Sequence, residues 1–201
     1  MLLTLGRGDG EPVARALSNA GAIVEHGPAA LREASGVVIA GEGHLSDGLG
    51  ALAEAAAVRQ LERRLAGGCP VLGIGLGLHA LIGHDDAPGL PQWPGEVEPL
   101  RAGATRHTGW ARLRGGADSP LLTGIPRPEF YFDHTHAVHD DPAEHHDPES
   151  PLRPPAVTWA EHPVNFVAMI ENGPLSALQF HPEKSGEAGT QLLRNWLATL
   201  R

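Results

Sequence analysis

Cysteine is almost absent from this chain. Among 201 residues only Cys69 carries a thiol, which excludes an internal disulfide and a cysteine-based metal cluster. Basic residues are scarce too: Lys and Arg together number 15 against 24 Asp and Glu, a formal charge of -9. Phosphate contacts need a positive patch, so this balance argues against nucleic acid and anionic membranes as partners. No apolar run approaches the roughly 20 residues that span a bilayer. The apolar opening Met1-Leu2-Leu3-Thr4-Leu5 has no basic leader of the signal-peptide kind, so the expected compartment is the cytoplasm. What remains is 41% hydrophobic, enough to bury a sizeable core in a single domain over residues 1–201.

The first half alternates short apolar runs with helical patterns. Strands are expected at Met1 to Leu5, Ala22 to Val24, Gly36 to Ala40 and Pro70 to Ile74. Helices are expected at Pro12 to Ala20, Leu49 to Leu65 and Leu76 to Ile82, the first two with an apolar stripe. Continuous apolar strands separated by helices imply a parallel sheet covered on both faces. Ligands on such sheets bind at the carboxyl ends of the strands, here the loops Gly41 to Asp47 and Gly73 to His79. From about His84 the texture changes. Pro and Gly become frequent around strand candidates at Thr105 to Leu113, Phe130 to Val138, Val157 to Ala160, Phe166 to Ile170 and Ser176 to Phe180. This reads as a mixed or antiparallel part of the sheet, closed by an amphipathic helix over Glu187 to Leu200.

The segment Asp133 to Glu149 holds five histidines (His134, His136, His139, His145, His146) and six acids, with no Lys or Arg. Its bland reading is a solvated acidic loop; the sharper one is a zinc or nickel site of imidazole and carboxylate. No metal or other cofactor is assigned.

Two short stretches carry chemistry. Gly73-Ile74-Gly75-Leu76-Gly77 lies between a strand and a helix, where a nucleophile elbow would lift one side chain from a strained turn. A glycine-rich turn without catalytic history, or a weak phosphate loop at a helix N-terminus, fits the same string. His181-Pro182-Glu183 follows a strand and supplies a histidine with an acid two residues on, the arrangement that orients a general base.

Together these residues resemble class I glutamine amidotransferases, most closely the glutaminase subunit of imidazole glycerol phosphate synthase. The family's stretch P-V-L-G-I-C-L-G appears as Pro70-Val71-Leu72-Gly73-Ile74-Gly75-Leu76-Gly77. The run Gln179-Phe180-His181-Pro182-Glu183-Lys184-Ser185-Gly186-Glu187-Ala188-Gly189 matches that subfamily, supported by Gly6-x-Gly8, His107-Thr108-Gly109-Trp110 and Phe130-Tyr131-Phe132. The resemblance implies a three-layer α/β, flavodoxin-like fold whose mostly parallel sheet carries an antiparallel extension. It also implies catalytic roles for His181 and Glu183, and substrate contacts at Gly41, Gly43, Leu76 and position 79. The partner it implies is a (βα)₈-barrel cyclase or synthase docked near Lys184; a homo-oligomer is the other expected assembly.

The departures set the functional expectation. The family's nucleophilic cysteine is Gly75 here, and covalent catalysis needs an ionisable side chain at that position. Cys69 lies six residues upstream, about 20 Å along a strand, and is expected to be a small buried hydrophobe. Where the family often has glutamine, this chain has His79. The leading expectation is a pseudo-glutaminase serving as a non-hydrolysing subunit or scaffold. Two alternatives stand beside it: repurposed chemistry in which His79, His181 and Glu183 converge, and an engineered Cys-to-Gly variant of an ordinary glutaminase.

Overall fold

The structure is a computed structural model that describes residues 1–6, 10–26, 33–43, 55–82, 90–145, 149 and 153–200. Strand β1 (Leu2–Gly6) leads to α1 (Glu11–Ala20), β2 (Val37–Glu42), α2 (Ala55–Ala66), β3 (Val71–Gly75) and α3 (Leu76–Ile82). The second half adds β4 (Glu98–Pro99), β5 (His107–Arg112), β6 (Glu129–His134), β7 (His136–Ala137), β8 (Ala156–Glu161), β9 (Asn165–Asn172), β10 (Leu175–Leu178) and α4 (Gly186–Leu197). The main sheet runs β1-β2-β3-β10-β9-β8. Its first four strands are mutually parallel, and β9 and β8 extend it antiparallel.

Alternation along the central strands builds two cores. Val37, Ile39 and Val71 pack with Leu61 of α2 and Leu78 and Leu81 of α3. Val38, Ala40, Leu72 and Ile74 face the other way, onto Val13 and Leu17 of α1 and Leu192 and Trp196 of α4. Period-2 side chains facing helices on both sides make the three-layer sandwich. The parallel register Gly41↔Gly75 sets the ends of β2 and β3 side by side at the carboxyl edge.

Several expectations need correction. Ala22 to Val24 is no strand: after the left-handed Gly21 the chain touches β1 through one bridge, Leu2↔His26. The expected strand Ser176 to Phe180 stops at Leu178, and Phe130 to Val138 breaks at Thr135 into β6 and β7. The start of the helix expected from Leu49, together with Gly8, His146 and residues 44–47, lies outside the described residues. Cys69 is not a buried hydrophobe. It is half-buried, and its Sγ lies 2.6 Å from the Arg64 guanidinium, which also bonds the Ala34 carbonyl.

β5 and β6 form a separate two-stranded ribbon with sharp alternation. His107, Phe130, Phe132 and His134 point inward, while Thr108, Trp110 and Arg112 point out beside Tyr131 and Asp133. The Trp110 ring stays 54% exposed, edge-on to Tyr131 at 6.1 Å. No helix among the described residues is long and apolar enough to cross a membrane.

Candidate functional site

The carboxyl edge of the sheet gathers the residues singled out from the sequence. Gly75 ends β3 at φ +56°, a left-handed conformation that side-chain-bearing residues seldom adopt. A Cβ added there would sit 3.5 Å from His181 Cε1, 3.8 Å from its Nε2 and 3.3 Å from the Gly41 carbonyl. The turn therefore aims its missing side chain at the histidine. Gly77 explains how the turn holds its shape: a Cβ there would lie 2.0 Å from the Ile39 carbonyl, so β2 and α3 touch backbone to backbone.

His181 follows β10 and is nearly buried, with Nδ1 2.7 Å from Glu183 Oε1. The carboxylate only accepts, so Nδ1–H donates and Nε2 faces the Gly75 notch as an acceptor. Ser185 fixes this segment. Its Oγ accepts from the Tyr131 N–H at 2.9 Å and donates to the His181 carbonyl at 2.6 Å. The His181 N–H donates in turn to the Tyr131 carbonyl, 2.8 Å away, sewing β6 to the dyad. In the sequence Ser185 stands out only as part of the subfamily run, with no role of its own, although its place four residues after His181 in a turn was a usable signal. Ser185→Ala leaves the half-buried Tyr131 N–H without its acceptor and is expected to cost about 1 kcal/mol. Urea titration reads this, and an unchanged midpoint would contradict the stitching role.

Gly41 and Gly43 stand where expected, at and just beyond the end of β2, and Gly43 has φ +104°. Leu76 opens α3 directly after Gly75. His79 is one turn further on and buried, but its Nε2 lies 2.9 Å from Gln179 Oε1. His79 also sits close enough to His134 to help depress that group's pKa. Its ring is thus turned toward Gln179 and the His134 side of the molecule. It is not among the residues lining the cavity beside His181 and Glu183.

Lys184 lies in the turn after the dyad, with its ammonium 3.0 Å from Glu42 Oε1. Burial pushes its pKa down, but the bond and charge of Glu42 outweigh that and leave it raised. Asp133 shows the mirror case. Burial works to raise it, and Arg106 (2.7 Å) together with Thr108 holds it below the ordinary carboxylate value.

The histidine-rich segment is not simply a solvated loop. His139 is buried with Nδ1 2.9 Å from the Asn165 carbonyl, and His134 is buried with Nδ1 2.9 Å from the His136 carbonyl. That carbonyl makes His134 Nδ1 the donor, so its Nε2 accepts from His107 Nδ1 at 3.1 Å. Burial depresses both pKa values, to about 4 for His107 and about 3 for His134. Among the described residues no three His, Cys, Asp or Glu side chains cluster closely enough to hold a metal.

Comparison with known proteins places this arrangement. The model of the glutamine amidotransferase class-I family matches residues 42–200. The imidazole glycerol phosphate synthase subunit HisH of Leifsonia xyli subsp. xyli is 44% identical, over 97% of this chain and 95% of its own. The HisH subunit of Streptomyces coelicolor is 43% identical over 97% of this chain and 90% of its own. Among solved structures, a glutamine amidotransferase crystal structure superposes with TM-score 0.69 at 16% identity, covering 98% of this chain and 97% of that one. PurLQS from Thermotoga maritima gives TM-score 0.67 at 15% identity, covering 100% and 98%. The chain belongs to the class I glutamine amidotransferase family, in the group of the HisH subunits of imidazole glycerol phosphate synthase.

Proposed function

We propose that the chain is a non-hydrolysing subunit of a synthase-type assembly, a glutaminase fold that docks on its partner without releasing ammonia from glutamine. The observation that carries this is Gly75. The elbow is formed, the His181–Glu183 dyad is in place at 2.7 Å, and the position aimed at the imidazole bears no side chain. His181 and Glu183 are remnants of a triad in this reading, and Gly41, Gly43 and Leu76 line the former carboxamide site. In this reading the His79 imidazole, bonded to Gln179, no longer serves a carboxamide. A coupled assay for ammonia release from glutamine tests the proposal, and sustained turnover would overturn it.

The subunit role draws support from the relatives, which bear the name of a synthase subunit. The partner we assign is a (βα)₈-barrel cyclase or synthase, and its docking face is the outer side of the β5–β6 ribbon together with Lys184. An exposed tryptophan next to Tyr131 is the kind of anchor that dominates interface energies. The turn bearing Lys184 is fastened to Tyr131 through Ser185.

Lys184 is the only lysine in the chain, which makes the docking face testable. An amine-acylating reagent has two targets, Lys184 and the N-terminus. Bound partner is expected to slow acylation of Lys184 while leaving Met1 labelling unchanged. Trp110→Ala is expected to weaken the complex by about 2 kcal/mol, roughly thirtyfold. Unaltered Lys184 labelling in a stable complex would move the interface elsewhere.

A further inference from the structure

The order of the main sheet puts β3 between β2 and β10, so Gly75 lies between the end of β2 and the segment that follows β10. A contact joining those two flanks has to cross over the Gly75 notch. One such contact is present. Glu42 is the last residue of β2, Lys184 follows the dyad, and the Lys184 ammonium donates to Glu42 Oε1 at 3.0 Å. Neighbouring strands stand about 4.8 Å apart, so the flanks are roughly 10 Å from one another, a gap that two long side chains meeting end to end close.

Exposure rises from the floor of the site to its rim. The side chains of His181 and Glu183 are 6% and 3% exposed, whereas those of Lys184 and Glu42 are 34% and 61%. Glu42 also lines the cavity beside the dyad. The ion pair therefore sits between the dyad and solvent. The charges of Glu42, Glu183 and Asp133 all act on Lys184, but two of these acids are engaged elsewhere. Glu183 Oε1 accepts from His181, and Asp133 is held by Arg106 and Thr108. Glu42 is the acid that bonds the ammonium.

We propose that Glu42 and Lys184 form a strap across the mouth of the dyad site, which must part before a molecule larger than water reaches His181 Nε2. The strap governs access rather than chemistry, so it does not rest on the non-hydrolysing reading. An exposed ion pair is weak, which suits a closure that opens on thermal motion. Losing it should raise access about two- to fivefold.

The test treats the full chain with diethyl pyrocarbonate and follows carbethoxylation of His181 by peptide mass mapping, with the exposed His145 as internal reference. Nε2 takes the carbethoxy group, the Nδ1 proton is released, and the other half of the reagent leaves as ethanol and carbon dioxide. At low ionic strength Glu42→Gln and Lys184→Gln are each expected to label His181 about two- to fivefold faster than the parent, and the double variant no faster than either. A purely electrostatic effect on the imidazole would have opposite signs in the two single variants, because one removes a negative and the other a positive charge. Potassium chloride at about 1 M, where the Debye length is ~3 Å, should speed the parent and leave Glu42→Gln unchanged. Lys184→Arg keeps a cation that Glu42 can hold and is expected to label like the parent. Parent-rate labelling in both single variants overturns the proposal, and so do rates that move in opposite directions. Additive acceleration in the double variant also overturns it, as does a salt response equal in Glu42→Gln and the parent, because the changes then loosen the turn without opening a strap. A urea midpoint beside each labelling run checks folding; if one variant does not fold, the other and the salt response of the parent decide. Neither glutamine nor a partner enters the measurement, so its failure leaves the ammonia assay and the lysine footprint untouched, and theirs leaves the strap untouched.

Discussion

Glutamine incubated with the purified chain is expected to release no ammonia above background, with or without a bound partner. His181 and Glu183 can move a proton, but no thiol stands at Gly75 to be activated. Losing the nucleophile from such a triad costs on the order of 10⁶-fold in rate. On the proposed reading, faint hydrolysis by water activated at His181 is the most that remains. Turnover near 1 s⁻¹, about the bottom of the ordinary enzyme range, would overturn the proposal. The Gly75→Cys variant sharpens the test. Its new side chain meets the Gly41 carbonyl at 3.3 Å and sits at φ +56°, so we expect it to fold with a loss of about 1–3 kcal/mol. Because His79 is turned to Gln179, restoring the thiol alone is expected to leave turnover far below that of a working glutaminase. Brisk activity in Gly75→Cys would show that the pocket had not drifted.

Acid should destabilise this protein steeply. His107 and His134 are buried, share one hydrogen bond, and have pKa values lowered by burial to about 4 and about 3. A histidine depressed in the folded state contributes stability above its unfolded pKa of about 6.5 and loses it as pH falls toward the folded value. The window is therefore pH 6.5 down to about 4 for His107 and about 3 for His134. The neighbouring charges do not cancel the effect. His162 depresses both rings and His79 depresses His134, while Asp133 works the other way on His107 and the bond to the His136 carbonyl does so on His134. Together the two depressions are worth several kcal/mol, an order of magnitude because the rings are coupled. Urea unfolding from pH 7 to pH 4 would record it. His107→Phe, which stacks the same ribbon interior with one fewer titrating ring, should flatten the acid limb even if it lowers stability at pH 7. Stability that is level down to pH 4 would contradict a neutral, buried pair.

How much of this could be read beforehand follows from how local each signal is. Val37 to Ala40 and Val71 to Ile74 are strands buried on both faces, and their unbroken apolar runs announced a parallel sheet before any contact was known. Gly75 and the His181–Glu183 pair sit in short stretches whose pattern is visible within a few residues, although Ile39 and Tyr131 hold their geometry from far along the chain. The partner of His79, Gln179, is 100 residues away and was not legible, because one helical turn of spacing says nothing about which neighbour bonds a ring. The His107–His134 pair lies 27 residues apart, yet a signal existed. The alternation that buries Phe130 and Phe132 also points His134 inward, opposite His107 in the ribbon register. Ala22 to Val24 failed for a different reason. Apolar residues favour a strand only when an edge is free to pair, and here one bridge at His26 is all that β1 offers.

The backbone contact between Gly77 and Ile39 has a consequence for descent. The elbow is shaped by β2 pressing against the first turn of α3, and Ser185 fixes the histidine segment through main-chain groups. Neither device depends on turnover, so selection for a folded subunit is enough to preserve the outline of a catalyst. In such a lineage the side chains that touch only substrate drift first, and those that double as structural fasteners persist. An intact His–Glu pair is then a poor witness to activity when chains of this family are sorted by inspection. On the non-hydrolysing reading reversal also stays open, since a glycine already holding the turn keeps a nucleophile one substitution away.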